Sequence, residues 1–176
     1  MKLKFQLLSI IITFATAINA QNTVGLLSYN INRSLDGLNL IYPNGQPNAY
    51  LLNNCGEIVH TWPGDAGTVP GNSAYILDDG RLVKTVRPAS VAGSTIFAPG
   101  AGASVEIRDW DNNLEWSFTL NNDEARLHHD ITILNKNNRL TILMIAWERK
   151  TADEAIQAGR DPNVLETDEF LSLIHI

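Results

Sequence analysis

Tyr50-Leu51-Leu52-Asn53-Asn54-Cys55-Gly56-Glu57-Ile58-Val59-His60-Thr61-Trp62 reads as strand, turn and strand, and the pattern returns later in the chain. It aligns without a gap on Glu106-Ile107-Arg108-Asp109-Trp110-Asp111-Asn112-Asn113-Leu114-Glu115-Trp116-Ser117-Phe118, an offset of 56 residues from 50 to 106. A second hairpin repeats behind the first. Tyr75-Ile76-Leu77-Asp78-Asp79-Gly80-Arg81-Leu82 matches Thr132-Ile133-Leu134 and then Arg139-Leu140, the offset growing from 57 to 58. Each unit is therefore hairpin, loop, hairpin. A recurring four-strand unit that cannot bury both its faces alone predicts an all-β fold, a β-propeller, with about two blades in these residues. A sandwich of similar strands gives no reason for a fixed offset.

Turn chemistry supports the same reading. Asn44-Gly45, Asn54-Cys55-Gly56, Asp79-Gly80, Asp111-Asn112-Asn113 and Asn135-Lys136-Asn137-Asn138 are residues that tolerate the positive φ of tight hairpin turns. Between them lie short segments rich in Ile, Val, Leu, Tyr and Trp, which predict strands over 38–41, 49–53, 58–62, 74–77, 82–86, 104–109, 114–120, 130–134 and 140–147. Two segments depart from the pattern. Residues 88–102 form a Gly/Ala/Ser/Pro loop expected to bury little. Thr151-Ala152-Asp153-Glu154-Ala155-Ile156-Gln157-Ala158-Gly159 has a threonine cap, acids in its first turn and a glycine stop, which predicts a short inserted helix.

The chain opens with Lys2 and Lys4 ahead of an uncharged apolar run, and Ala20-Gln21 offers a small-residue cleavage point. This is the plan of a signal peptide over residues 1–20, so the mature chain is expected to be exported, to the periplasm or the cell surface. Loss of Lys2 and Lys4 takes the formal charge from −6 to −8, which argues against nucleic-acid or anionic-membrane partners. No later segment approaches the roughly 20 apolar residues of a membrane span. Residues 21–170 are expected to carry the propeller blades, and residues 171–176 a non-native or truncated tail. Two blades do not close a propeller, so the chain is read as the amino-terminal part of a longer protein. The lone cysteine, Cys55, sits in a turn and is either a tolerated free thiol or paired elsewhere. No Cys/His spacing resembles a zinc site, and no glycine-rich phosphate loop or nucleophile elbow is present.

Leu127-His128-His129-Asp130-Ile131 is the candidate for chemistry. On an extended strand His128 and His129 point to opposite faces, so only one faces a given pocket, with Asp130 on the side of His128. An imidazole suits nucleophilic attack or proton transfer near pH 7 because its pKa lies close by. The alternative is that both rings bond loop backbone and pin the fold. Trp62, Trp116 and Phe118 end corresponding strands and are expected in the packing between units. His60 aligns with Trp116 and reads as a strand-face residue. Arg149 and Arg160 flank the expected helix and could reach an anion.

The hairpin residues 50–62, Leu77-Asp78-Asp79-Gly80-Arg81-Leu82 and His128-His129-Asp130-Ile131-Thr132-Ile133-Leu134 together resemble the bacterial aryl-sulfate sulfotransferases. Ala146-Trp147-Glu148-Arg149-Lys150-Thr151 with Ala158-Gly159-Arg160-Asp161-Pro162 is similar to the secreted subset of that family. The resemblance covers most of residues 25–170. It implies a six-bladed propeller that moves a sulfuryl group from a phenolic sulfate ester to a phenol through a sulfohistidine, without a nucleotide carrier, cofactor or metal. It places His128 and His129 at a sulfate-contacting, transition-state-stabilising position, with the nucleophilic histidine in a later blade. Arg149 and Arg160 are second-choice sulfate contacts. The alternative reading is a secreted propeller of the same ancestry that binds carbohydrate or protein and catalyses nothing. A metal- or quinone-dependent propeller oxidoreductase is a third, but its acidic or histidine ligands are missing from these residues.

Overall fold

Alternating apolar residues, broken by Asn and Gly at left-handed positions, set the architecture. The computed structural model describes residues 26–90, 93–96, 99–137, 139–164 and 169–175, so the expected signal peptide lies outside the described residues. Among the described residues ten strands form: β1 (Asn39–Ile41), β2 (Ala49–Leu52), β3 (Ile58–Trp62), β4 (Thr68–Ile76), β5 (Leu82–Pro88), β6 (Ser104–Arg108), β7 (Leu114–Thr119), β8 (Ala125–Lys136), β9 (Arg139–Thr151) and β10 (Glu169–His175). They build three antiparallel sheets, ordered β1-β2-β3, β4-β5-β6-β7 and β8-β9-β10. The fold is all-β. Gly80 (φ 87°) and Asn112 (φ 68°) close two of the predicted turns in the conformation that β-branched residues avoid. The helix α1 (Ala152–Gln157) starts as expected: the Thr151 hydroxyl accepts from the Glu154 amide while the Glu154 carboxylate accepts from Thr151.

The sequence repeat and the sheets are out of phase. The expected unit pairs hairpin β2–β3 with hairpin β4–β5, but the four-stranded sheet joins β4–β5 to β6–β7 through the β5–β6 ladder. The second hairpin of one unit therefore shares a sheet with the first hairpin of the next. The strand boundaries also shift. β4 and β8 each begin earlier than predicted, because each contains an excursion that interrupts its alternation.

Those excursions are the same in both strands. In β4, Pro70 opposes Val86 and Ala74 opposes Lys84, so three residues, 71–73, stand against Thr85 alone. In β8, Leu127 opposes Ala146 and Ile131 opposes Met144, so His128, His129 and Asp130 stand against Ile145 alone. The two lie 57 residues apart, the offset at which the second hairpin begins to repeat. Three-against-one bulges bend a strand and release backbone groups from the ladder, which must then find other partners. Thr85 supplies them in β4, its Oγ1 accepting from the Ser73 amide at 2.9 Å and donating to the Ser73 carbonyl at 3.2 Å. A side chain at Gly71 would press within 2.9 Å of the Thr85 backbone.

Two apolar clusters hold the sheets together. Ala49, Leu51, Trp62 and Leu82 join the first sheet to the second. Val83, Val105, Ile107, Leu127, Ile131, Met144 and Ala146 join the second to the third. Trp62 is fully buried and donates its indole N–H to the Asp109 carbonyl at 3.0 Å. His60 stacks on Trp110 with ring centroids 4.1 Å apart and meets Trp62 edge-on at 4.2 Å. Trp116 meets its expected packing role in part. On edge strand β7 it borders the space between the second and third sheets with Ile107, Leu140, Ile142 and Met144, yet it stays 40% exposed, stacked along Phe118 at 6.5 Å. The loop 88–102 also departs from expectation: Ser94 and Ile96 are buried, at 7% and 1% exposed. Arg126 ties the loop at two points, donating Nε to the Gly102 carbonyl at 2.7 Å and Nη1 to the Ile96 carbonyl at 2.9 Å.

A buried ionic group runs beneath the second sheet. Arg108 donates Nε to Glu106 and Nη2 to Asp65, each at 2.8 Å. Lys84, 2% exposed, approaches Glu106 only to 3.8 Å, and burial holds its ammonium below its ordinary pKa against the pull of Glu106. Removing the shared carboxylate leaves two cations in low dielectric, whereas removing Lys84 leaves the Arg108–Glu106 pair whole. Glu106→Gln is therefore expected to destabilise the fold by about 3 kcal/mol, and Lys84→Met by less than about 1 kcal/mol. Urea unfolding of both variants checks the order; a costlier Lys84→Met contradicts it.

Candidate functional site

The β8 excursion changes what adjacent histidines can do. Strict alternation sends His128 and His129 to opposite faces, but the bulge at 128–130 removes that constraint. Their ring centroids stand 4.2 Å apart at an interplanar angle of 48°. Both rings border Gly100: a Cβ there would lie 2.9 Å from His129 Cδ2 and 3.1 Å from His128 Nε2. The expectation that only one imidazole serves a given space is corrected. They form a pair, with His128 half-buried and His129 exposed.

Neighbouring groups fix this pair. The Ser73 hydroxyl donates to the His129 carbonyl at 2.9 Å, joining the two excursions directly. The Tyr75 hydroxyl donates to Asp130 Oδ1 at 2.7 Å, and the Ile131 amide donates to the same oxygen at 2.8 Å. The Gly102 amide donates to the Leu127 carbonyl at 2.7 Å. Trp147 meets the His128 ring edge-on at 4.9 Å. Every element around the excursion thus contributes a tie.

The electrostatics divide the roles. Burial, followed by the neighbouring His129, holds His128 below the ordinary histidine pKa, with the Pro99 backbone opposing, so this ring is neutral at pH 7. Its Nδ1 is buried without a hydrogen-bond partner. For Asp130, burial pushes the carboxyl up, but the bonds from Tyr75 and Ile131 and the nearness of His129 outweigh it and hold it below the usual carboxylate range. Asp130 is then a fixed anion, not a proton donor. The hydrogen bond to Asp130 raises the Tyr75 pKa in turn, which keeps the phenol protonated.

Tyr75 and Asp130 also edge a groove of about 600 Å³, with Ile76, Arg81, Thr132 and Asn135 along its walls. The two arginines expected near an anion lie elsewhere. Arg149 donates to Thr95 Oγ1 at 2.7 Å, beside Asp123, at the end of β9. Arg160 follows α1 and lines a different hollow of about 620 Å³ with Lys150, Glu154 and Ser172. Cys55 is a free, exposed thiol. Among the described residues no group of three or more His, Cys, Asp or Glu is placed to hold a metal ion, and no helix is long and apolar enough to cross a membrane.

Sequence reasoning missed three residues here: Ser73, Tyr75 and Gly100. The first was within reach, because the offset of 57, carried three residues upstream of Ala74, sets Gly71-Asn72-Ser73 on His128-His129-Asp130. Comparison with known proteins adds no assignment: no protein-family model matches the chain, and no curated protein or solved structure matches it significantly.

Because the folded-state pKa of His128 lies below its ordinary value of 6.5, the neutral ring favours folding. That contribution is present above the unfolded pKa and is lost as pH falls through the lowered folded value. His128→Asn is therefore expected to show a smaller drop in thermal midpoint than wild type between about pH 7 and pH 5. Identical pH dependence of the two proteins would show that burial does not suppress the ring's charge.

Proposed function

We propose that the chain carries the amino-terminal blades of an exported β-propeller aryl-sulfate sulfotransferase, and that His128 and His129 bind the sulfuryl group. The propeller reading draws support from three antiparallel sheets, equivalent strands at a near-constant offset, and β4 lying against β8 with matching excursions. The functional reading rests on one observation above the others: two imidazoles side by side at a strand excursion, 4.2 Å apart, with the adjacent carboxylate tied away by Tyr75.

The chemistry needs donors aimed at oxygens. In sulfuryl transfer a histidine nitrogen lone pair attacks sulfur while the bond from sulfur to the aryl oxygen breaks and the phenolate leaves. A second phenol then attacks sulfur, the sulfur–nitrogen bond breaks, and the phenol's proton passes to a base. Charge is spread over the three remaining sulfuryl oxygens throughout, so preorganised N–H groups lower the barrier. An imidazole donates through a ring N–H whether neutral or protonated. In this reading His129, the exposed ring, donates to those oxygens and exchanges a proton with the departing phenolate, while His128, whose N–H is held by the Pro99 backbone, becomes a second donor only on taking up a proton at Nδ1. The covalent acceptor is a different histidine, expected of a later blade. The groove beside Tyr75 and Ile76 offers an aromatic and apolar wall for the aryl ring.

A second reading, a non-catalytic carbohydrate-binding propeller, draws on the stacked Trp116–Phe118 pair, because exposed aromatic faces suit sugar rings. Kinetics of the complete gene product with para-nitrophenyl sulfate as donor and phenol as acceptor separate the two. His128→Ala and His129→Ala are each expected to lower turnover at least about tenfold, the loss typical of one transition-state donor or proton partner. Unchanged turnover in both variants overturns the assignment, and no turnover in wild type, with sugar binding abolished by Trp116→Ala, favours the second reading.

A further inference from the structure

The two apolar clusters between the sheets are built from the same repeat positions. Ala49, Leu51, Trp62 and Leu82 correspond to Val105, Ile107, Phe118 and Leu140, at offsets from 56 (49 to 105) to 58 (82 to 140). Each sheet thus meets the next head to tail, and contacts of that kind come to an end by closing a ring. The same correspondence fixes the place of β1. Leu40 pairs with Leu51 as Val83 pairs with Ile107, so β1 is to the first sheet what β5 is to the second. Its surroundings agree: β1 lies against β4 as β5 lies against β8.

One ladder is then left open. On the side away from β6, β5 is paired by β4, with Tyr75 opposite Val83, and β9 is likewise paired by β8. Among the described residues β1 carries no strand on its side away from β2. The residues leading into it supply none, since 26–38 hold only a 3-10 turn at Ile31–Arg33. A free strand edge is a row of unpaired N–H and C=O groups, ready to take another strand. The phase of the repeat says which. The second hairpin of each unit completes the sheet of the following unit, so β1 is the return strand of a hairpin belonging to a unit before the first. In a ring, the unit before the first is the last.

We propose that the free edge of β1 takes up, in antiparallel pairing, a strand from the last repeat unit of the same polypeptide, so that both ends of the chain share one sheet. This rests on the propeller reading above and not on sulfuryl transfer. The incoming strand holds the place in the first sheet that β4 and β8 hold in the other two. It stands beside β4 as β4 stands beside β8, closing the flank of β4 away from the histidine pair. Opening the ring then costs a ladder of hydrogen bonds as well as an apolar contact.

Hydrogen exchange and photo-cross-linking of the complete gene product test the closure. Amides of β1 are expected to exchange at rates within about tenfold of those of β5, which is paired on both sides. Faster exchange of β1 than that, with β5 still protected, overturns the proposal and leaves the propeller reading in place. Rapid exchange of β5 as well overturns the propeller reading and this inference with it. Leu38→benzoylphenylalanine, at an exposed position next to β1, is expected to cross-link on irradiation to the last repeat unit of the same molecule. A cross-link to residues 1–25, to an earlier unit or to a second copy overturns the proposal, as does the absence of any cross-link.

Discussion

The hydrogen bond from the Ser73 hydroxyl to the His129 carbonyl joins two strand excursions that each violate β-sheet regularity, and the site depends on that join. Three residues facing one leave backbone groups without ladder partners, and buried groups in that state are costly. In β4 the partner is the Thr85 hydroxyl; in β8 the partners are Ser73, the Asp130 carboxylate and the Gly102 amide. Each excursion is thus stable only because its neighbour, its partner strand or the loop 88–102 answers it. The paired imidazoles and the anchored Asp130 both follow from the same geometry. A regular β8 would separate the two rings to opposite faces.

The surrounding packing explains why this irregularity persists. Leu127 and Ile131, which bracket the β8 excursion, both lie in the apolar cluster between the second and third sheets, so the strand is pinned on each side of the bulge. Arg126, one residue earlier, is 3% exposed and ties the loop 88–102 at the Ile96 and Gly102 carbonyls. Burial, and then Arg87, lowers the pKa of this guanidinium, which answers carbonyl dipoles. Gly100 in the same loop makes room for both histidine rings. Loop, strand and site are therefore one unit, with the cost of an unusual backbone spread over many ordinary contacts.

Much of this was legible in the sequence, and the exceptions share a cause. The hairpins, turns and inserted helix follow from local chemistry: Asp79-Gly80, Asn112 and the Thr151–Glu154 capping box each act within a few residues. The all-β class follows from the repeat. The strand starts at Thr68 and Ala125 were not legible, because the excursions hide them from any search for period-two alternation. The joint placement of His128 and His129 was missed for the same reason. The burial of Ile96 and Arg126 depends on tertiary packing that composition does not encode, since arginine and a Gly/Ala/Ser/Pro loop both signal surface. For Trp116 the place between the sheets was legible but its exposure was not: its strand is an edge, and edges are known only once the sheets are assembled.

The central claim is that the two imidazoles share one anionic ligand. It is tested most directly by following the ring nitrogen resonances of selectively labelled histidines while para-nitrophenyl sulfate is titrated in. The account predicts that the His128 and His129 signals shift together and saturate at one common midpoint, while His60, stacked on Trp110 and edge-on to Trp62, stays still. Signals from His128 and His129 that do not respond, or that follow two different midpoints, would contradict it.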